Sequence, residues 1–228
     1  MILAEDVLLL LTDDRTGKPV VDGTMRDIAL AGAVIAELAT AGRLEVARSS
    51  GLFSRTSLRV VDPSPLGDDV LDEGLRRAAG PGSAAPTSVL DRIRKGLRER
   101  LHQRLAERGV LRAEDGRVLG LFPRTTWPAV DTAHEAQVRS GLREVLVTGR
   151  TPTVREASLV ALLAAVHAVP KVVEGSGVPK RELNARAKQV AAGDVGGEAA
   201  RKAVEAVTSS VAATIAIVAG GSAGAAGG

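Results

Sequence analysis

Two segments of the chain carry apolar side chains on nearly every helical face, and they limit the fold more than any other feature. Residues 28–42 read IALAGAVIAELATAG, and residues 157–169 read ASLVALLAAVHAV. A helix that is apolar all round is stable only when neighbours cover it on every side. The chain has two Phe, one Trp and no Tyr, so the core must be built from Leu, Val, Ala and Ile. This composition favours packed helices over a β-sandwich.

Amphipathic segments and two hairpin patterns surround these apolar helices in the sequence. Helices are predicted over 68–79, 88–108, 130–148, 179–192 and 197–218, and a short helix or strand over 3–11. One hairpin pairs 43–47 with 56–61, and a second turns at Asp115-Gly116, because Asp-Gly between apolar runs is a strong turn signal. We therefore predict a mostly α fold: a central bundle of apolar helices wrapped by amphipathic helices, with one or two short β-hairpins. Residues 1–218 are expected to form a single domain, and 219–228 a disordered Gly/Ala tail.

Several functional classes find no support in the sequence. The chain contains no Cys, which excludes thiolate metal sites and a Cys nucleophile and fits a reducing cytosol. His102 and His134 have no partner at ligand or triad spacing, and no glycine-rich phosphate loop is present. The acidic pair Glu5 and Asp6 has no base near it in sequence, and His167 is interpreted as a buried core residue. We predict no catalytic residue, no metal and no cofactor, so an enzyme ranks last.

Membrane-spanning and secreted classes are not predicted either. No stretch of about 18 uncharged apolar residues occurs, so no spanning helix is expected. The apolar run near the N-terminus is preceded by Glu5 and Asp6 and lacks a basic region, unlike a signal peptide. A cytoplasmic location is therefore expected.

The positive charge of the chain is concentrated in residues 92–108. Seven cations and two anions give this segment a charge of +5, whereas the whole chain carries +3. Its apolar stripe, spaced by four residues, consists of Val89, Ile93, Leu97, Leu101 and Leu105. This spacing predicts one continuous basic helix on which Lys95, Arg98 and His102 share a face. A second basic stripe consists of Arg100, Arg104 and Arg108.

Concentrated charge of this kind indicates an anionic partner. A phosphorylated headgroup or an anionic membrane surface would suit it, and so would solvent together with ion pairs to neighbouring carboxylates. Nucleic acid is not predicted, because no aromatic residues alternate with the cations and no helix-turn-helix spacing is recognisable. Phe122, next to the second hairpin pattern, is either a membrane or oligomer contact or a packing residue.

Six segments resemble, in order and spacing, the motifs of one known family. They are AEDVLLLLTDDRTG, IAELATAGRLEV, GDDVLDEGL, RERLHQRLAERGVL, TTWP and LVALLAAVHA. On these motifs the chain resembles the Golgi phosphoprotein 3 family, as a bacterial member, over roughly residues 3–175. The resemblance implies a mostly helical fold that binds phosphatidylinositol 4-phosphate peripherally through an aromatic residue and several arginines. It also implies a hairpin that acts in self-association and lies near the membrane.

Carried over by position, the resemblance selects a few residues of this chain. The family's two basic positions, three apart, fall on Lys95 and Arg98. Its first-helix arginine falls on Ala31 and its aromatic residue near Asp22, so both are replaced here, and Arg26 is close enough to substitute for the arginine. The implied membrane or oligomer contacts of the hairpin are Leu119, Leu121 and Phe122.

Two hypotheses follow from the sequence. The first is a cytoplasmic, membrane-peripheral protein that binds anionic phospholipid headgroups, similar to phosphatidylinositol 4-phosphate, through its basic helix. The alternative is a protein-interaction adaptor without a lipid ligand, which docks a client protein or forms a homo-oligomer through the hairpin.

Overall fold

The computed structural model describes residues 1–48, 56–80, 82–118, 122–192, 201, 204–206 and 211. In chain order its elements are α1 (Leu3–Leu10), α2 (Gly23–Thr40), β1 (Leu44–Arg48), β2 (Thr56–Val60), α3 (Asp69–Ala78), α4 (Pro86–Ile93), α5 (Leu97–Glu107), β3 (Glu114–Val118), β4 (Phe122–Thr126), α6 (Ala133–Arg143), a π-helix (Glu144–Thr148), α7 (Val154–Ala165), α8 (Val169–Val172) and α9 (Lys180–Ala191). The mostly α fold with short hairpins is confirmed. Most of the helix expected over 197–218 and the whole tail 219–228 lie outside the described residues.

The centre of the fold is formed by α1, α2 and α7, the most apolar helices. Every residue of α1 is buried, and so is almost every residue of α2 from Ile28 to Leu38. α2 packs against both α1 and α7, and α7 packs in turn against α9. α2 begins at Gly23, because the carboxylate of Asp22 caps the helix by accepting hydrogen bonds from the amides of Thr24 (2.8 Å) and Met25 (3.4 Å).

The expected continuous basic helix over 88–108 is wrong, because the chain breaks it into α4 and α5. Gly96 stands between them with φ +69°, a left-handed conformation that glycine adopts at little cost. On a straight helix, apolar side chains spaced by four would drift by about 40° per step. The break removes the drift, and the whole stripe is at most 6% exposed. Lys95 therefore lies in a turn before α5 rather than on a helical face.

Both hairpins are present, but the second turns later than expected. β1 and β2 pair antiparallel, with Leu44 opposite Val60. β3 and β4 pair from Glu114 opposite Thr126 to Val118 opposite Phe122. Asp115 and Gly116 therefore lie inside β3, where ladder pairing satisfies more main-chain groups than an early turn would. Leu119 and Leu121 lie outside the described residues, and Phe122 is described only through its backbone pairing.

The interpretation of His167 as a buried core residue is also wrong. α7 ends at Ala165, and His167 lies exposed just beyond it with φ +57°. The amide of Ala168 donates to the carbonyl of Leu163 (2.8 Å), which closes the last turn of the helix. The apolar pattern of the sequence continues beyond the end of α7, which suggested a buried residue. The closing turn instead directs the His167 side chain outwards.

Candidate anion-binding site

The second basic stripe of α5, formed by Arg100, Arg104 and Arg108, makes ion pairs with carboxylates of the protein itself. The side chain of Arg104 is 11% exposed and pairs with Glu5 (3.2 Å), Asp68 (2.8 Å) and Asp69 (2.8 Å). Hydrogen bonding to Asp68 raises the pKa of Arg104 above its ordinary range. Arg100 pairs with the same Asp69, at 2.6 Å. The second stripe thus stabilises the packing of α5 on α1 and α3.

A buried network of charges surrounds the acidic pair of α1. Glu5 accepts hydrogen bonds from Arg108 at 3.1 Å, and Asp6 accepts from His134 at 2.8 Å and from Arg155 at 2.8 Å. Both carboxylate side chains are completely buried. We call this set the α1 network: Glu5, Asp6, Arg104, Arg108, His134 and Arg155.

Sequence reasoning missed the α1 network because its members are far apart in the chain. Arg108 lies 103 residues after Glu5, and Arg155 lies 149 residues after Asp6. The available signal was the place of two carboxylates in a short, otherwise apolar segment. Buried carboxylates need paired bases, so such a segment predicts partners elsewhere.

The guanidinium groups of Arg26 and Arg98, between α2 and α5, have fewer carboxylate partners than Arg104 of the α1 network. The carboxylate of Asp27 lies 3.6 Å from Nε of Arg26 and 3.2 Å from Nη1 of Arg98. Arg98 also pairs with Glu99. The side chain of Arg26 is only 9% exposed, and its Nε has no hydrogen-bond partner among the described residues. Burial, together with repulsion from Arg98, lowers the pKa of Arg26.

Lys95 lies three residues before Arg98, in the exposed turn between α4 and α5. Across the described ranges, its ammonium group forms no ion pair or hydrogen bond. The turn is fixed from behind by Arg77, whose Nη1 donates to the carbonyls of Arg92 and Ile93 (3.3 Å each) and of Lys95. Lys95 is thus an exposed cation on a turn that Arg77 holds in place.

We call Arg26, Asp27, Lys95, Arg98 and Glu99 the α2–α5 cluster; with three cations and two anions it carries a net charge of +1. The structure joins Arg26 to Arg98 through Asp27, whereas no ion pair or hydrogen bond among the described residues joins the Lys95 side chain to the other members. α5 starts beside Lys95 without a side-chain cap. Its first amides add partial positive charge to the cluster.

An aromatic pair borders the cluster. His102, one helical turn after Arg98, is 6% exposed, and its ring stacks on Trp127 with centroids 4.8 Å apart and an angle of 4°. Trp127 follows β4, and its backbone lies so close to Gly17 that a Cβ there would meet the Trp127 amide nitrogen at 2.4 Å. Burial and the positive charges of Arg26 and Arg98 lower the pKa of His102 to about 4. The sequence placed His102 beside Lys95 and Arg98 but gave no sign of the stack.

The fold and the cluster define a class: a mostly helical protein with a cationic cluster at the start of two helices, suited to an anionic ligand. Within the described part of the chain, no helix has both the length and the apolar character needed to cross a bilayer. In the same residues, no set of three or more His, Asp or Glu side chains could hold a metal ion.

The chain belongs to the Golgi phosphoprotein 3 family. The family model described as Golgi phosphoprotein 3 (GPP34) matches residues 3–207, which confirms the family inferred from the six motifs. One relative is vacuolar protein sorting-associated protein 74 of Eremothecium gossypii, 29% identical over 164 residues. That match covers 64% of this chain and 49% of the relative, so the chain spans about half the length of the relative.

Proposed function

We propose that the protein binds anionic phospholipid headgroups at a membrane surface through the α2–α5 cluster. The observation that carries the proposal is the buried Nε of Arg26, which has no hydrogen-bond partner among the described residues and lies near the guanidinium of Arg98. An unsatisfied buried donor costs about 1–3 kcal/mol. A phosphate oxygen bound between the two guanidinium groups would offset that cost.

Each cation has a distinct part in this proposal. Arg26 and Arg98 present planar donors that suit a phosphate group, since a guanidinium can bind two oxygens at once. Lys95 is exposed and contributes a point charge to the bound headgroup. A headgroup similar to phosphatidylinositol 4-phosphate supplies the matching phosphomonoester, in line with the family resemblance.

The modest net charge of the cluster sets an expectation for affinity. Each basic residue near an anionic bilayer contributes about 1 kcal/mol, and salt screens the contribution. The two carboxylates of the cluster reduce the sum. Weak, salt-sensitive, peripheral association is therefore expected, and the hairpin residues Leu119, Leu121 and Phe122 would add an apolar contact. The cytoplasmic location and the bacterial origin stay predictions.

The second candidate function is an interaction adaptor without a lipid ligand. β3 and β4 pair with each other and make few contacts with the other described elements. Their residues Glu114, Asp115 and Thr125 are exposed. A hairpin that stands apart from the core favours docking of a client protein or of a second copy.

Sedimentation with vesicles tests the lipid proposal. The chain is mixed with vesicles of phosphatidylcholine alone, of phosphatidylcholine with phosphatidylserine, and of phosphatidylcholine with phosphatidylinositol 4-phosphate. The double variant Lys95→Ala/Arg98→Ala is compared with Arg181→Ala/Lys188→Ala, which removes the same charge from exposed positions of α9.

We expect binding to the anionic vesicles only, lost in the first variant and kept in the second. Equal binding to neutral vesicles, or equal effects of the two variants, would overturn the proposal. Chemical cross-linking at rising protein concentration then tests the adaptor function: formation of a defined homo-oligomer without vesicle binding would favour it.

A further inference from the structure

The carboxylate of Asp27 lies between the guanidinium groups of Arg26 and Arg98. Its Oδ2 is 3.2 Å from Nη1 of Arg98, and its Oδ1 is 3.4 Å from the same nitrogen and 3.6 Å from Nε of Arg26. A carboxylate and a phosphate present the same kind of edge to a guanidinium, formed by two anionic oxygens. Asp27 therefore lies where the phosphate of the proposed ligand would bind.

The contacts of Asp27 are longer than those of a well-formed ion pair in the same protein. Hydrogen bonds between charged nitrogen and oxygen atoms are ordinarily about 2.7–2.9 Å long, and both oxygens of Asp68 meet Arg104 at 2.8 Å. Asp27 instead bonds a single nitrogen of Arg98, at 3.2 Å and 3.4 Å. The Nε of Arg26, at 3.6 Å, is left without a hydrogen bond among the described residues.

Asp27 is also better placed to reach water than the arginine beneath it. The side chain of Asp27 is 28% exposed, whereas that of Arg26 is only 9% exposed. A carboxylate at the surface of a helix can turn between staggered rotamers and become hydrated. The buried guanidinium cannot turn to water in this way and needs an anion beside it. The arrangement therefore favours the exchange of Asp27 for another anion.

The second carboxylate of the cluster is placed differently. Glu99 pairs with Arg98, the residue before it, and the Glu99 side chain is 62% exposed. Within the described ranges, no ion pair or hydrogen bond joins Glu99 to Arg26. The two carboxylates thus contribute the same charge to the cluster, but Asp27 contacts both guanidinium groups and Glu99 contacts one.

We propose that Asp27 is an internal competitor of the anionic ligand: an oxyanion binds between Arg26 and Arg98 by displacing this carboxylate, which turns into solvent. The inference rests on the proposed function, since it concerns the same cluster, and it assigns to Asp27 the role of setting the affinity. The chemistry recognised is a tetrahedral oxyanion, whether it belongs to a lipid headgroup or is free in solution.

Competition of this kind lowers the affinity in two ways. The ligand has to break the contact between Asp27 and Arg98, and the displaced carboxylate stays close enough to repel the ligand. Asp27→Asn removes the repulsion and keeps the shape of the side chain. It raises the net charge of the cluster from +1 to +2. We expect it to tighten binding about tenfold, which corresponds to about 1.4 kcal/mol.

Two variants distinguish competition from a general effect of charge. Asp27→Asn is compared with Glu99→Gln, which removes the same charge from the same cluster but from a carboxylate that contacts one guanidinium only. Sulfate is the free oxyanion, and its binding is followed through the Nε–H signals of the arginine side chains in nitrogen-edited magnetic resonance spectra. The Arg26 signal is assigned by its absence in Arg26→Met. Vesicles of phosphatidylcholine with phosphatidylinositol 4-phosphate provide the lipid headgroup.

We expect Asp27→Asn to bind both probes about tenfold more tightly than the unmodified chain. Glu99→Gln should change the affinity by less than about threefold, because its exposed pair is screened by water. Equal gains in the two variants would show that net charge alone matters. No gain in Asp27→Asn would show that Asp27 does not compete. Either result would overturn the inference and leave the lipid function intact.

A measurement on the unmodified chain does not depend on the folding of a variant. The carboxyl carbon signal of Asp27 should move when sulfate saturates the protein, because the carboxylate exchanges its contact with Arg98 for water. The corresponding signal of Glu99 should move less. A protein that binds sulfate while the Asp27 signal stays unmoved would overturn the inference.

The comparison of the two probes separates the inference from the proposed function. Tighter sulfate binding in Asp27→Asn, without vesicle binding by any form of the chain, would support the competitor and assign the site to a free anion. It would overturn the lipid function at the same time. Binding of neither sulfate nor vesicles by any form would overturn both.

Discussion

The α1 network and the α2–α5 cluster both bury charged side chains, but only in the second does a buried charged group have an atom without a hydrogen-bond partner among the described residues. In the α1 network, each buried carboxylate meets two bases within about hydrogen-bond distance. In the α2–α5 cluster, the carboxylate of Asp27 bridges two guanidinium groups, and the buried Nε of Arg26 has no hydrogen-bond partner in the part of the chain that the structure describes. A fold tolerates buried charges whose partners are all present, and losing one partner is costly, whereas a buried donor without a hydrogen-bond partner is available to a ligand. This difference distinguishes cations that stabilise the fold from cations that are candidates for ligand binding, although the two kinds look alike in the sequence.

The largest effect is expected from breaking the balance of the α1 network. Glu5→Gln removes the fully buried carboxylate that pairs with Arg104 and Arg108, and Arg104 keeps only Asp68 and Asp69. Loss of one member of a buried ion pair costs about 3–5 kcal/mol, and the lower end of that range is expected because Arg104 keeps these two partners and Arg108 is 44% exposed. Urea unfolding should show that loss in the free energy of unfolding. Glu114→Gln is the control, because Glu114 is 47% exposed and its pair with Arg112 contributes at most about 1 kcal/mol. An equal loss in the free energy of unfolding in both variants would contradict the view that the buried pairs of the α1 network matter more than an exposed pair.

A carboxylate with a single cation partner gives an intermediate case. Glu135 is 3% exposed and pairs with Arg139, and burial raises its pKa to about 7, with Asp14 nearby adding to the rise. Because the folded-state pKa exceeds the ordinary value of 4.5, stability from this group is present below pH 4.5 and is lost as pH rises through 7. The loss amounts to about 2–3 kcal/mol at most.

Unfolding by urea at pH values from 5 to 8 measures this loss. Glu135→Gln should flatten the fall in stability. The matched control is Glu182→Gln, since Glu182 forms the same i,i+4 pair with Arg186 but is 49% exposed. A slope that is unchanged in Glu135→Gln would show that this carboxylate does not titrate in the window.

The smallest stability effect, and the sharpest test of the contrast, comes from Arg26→Met. Removing a buried cation that lacks full pairing should change the free energy of unfolding by less than about 1 kcal/mol. The same change should weaken binding to anionic vesicles about tenfold, which corresponds to about 1.4 kcal/mol. Thermal unfolding and vesicle sedimentation are measured on the same preparation. Strong destabilisation without loss of vesicle binding would show that Arg26 stabilises the fold and does not bind the headgroup.

Sequence reasoning reached part of the candidate site. Lys95 and Arg98 came from positional resemblance and Arg26 from its nearness to a missing arginine, and the structure brings Arg26 and Arg98 onto one carboxylate. It did not reach the stack of His102 on Trp127, because a ring contact between a helix and a distant loop leaves no periodic pattern. It also missed the break at Gly96, because the apolar spacing alone fitted a continuous helix.

By itself, the sequence determined the mostly α fold and the family, because helical periodicity and capping act between near neighbours in the chain. The capping box of Thr153 and Glu156 at the start of α7 is one such local signal that the structure contains. Only the tertiary structure decided which cations are neutralised. Arg98 meets Asp27 across 71 residues, and Arg108 meets Glu5 across 103. Charge counted along a chain does not include such partners, since ion pairing depends on distance in space.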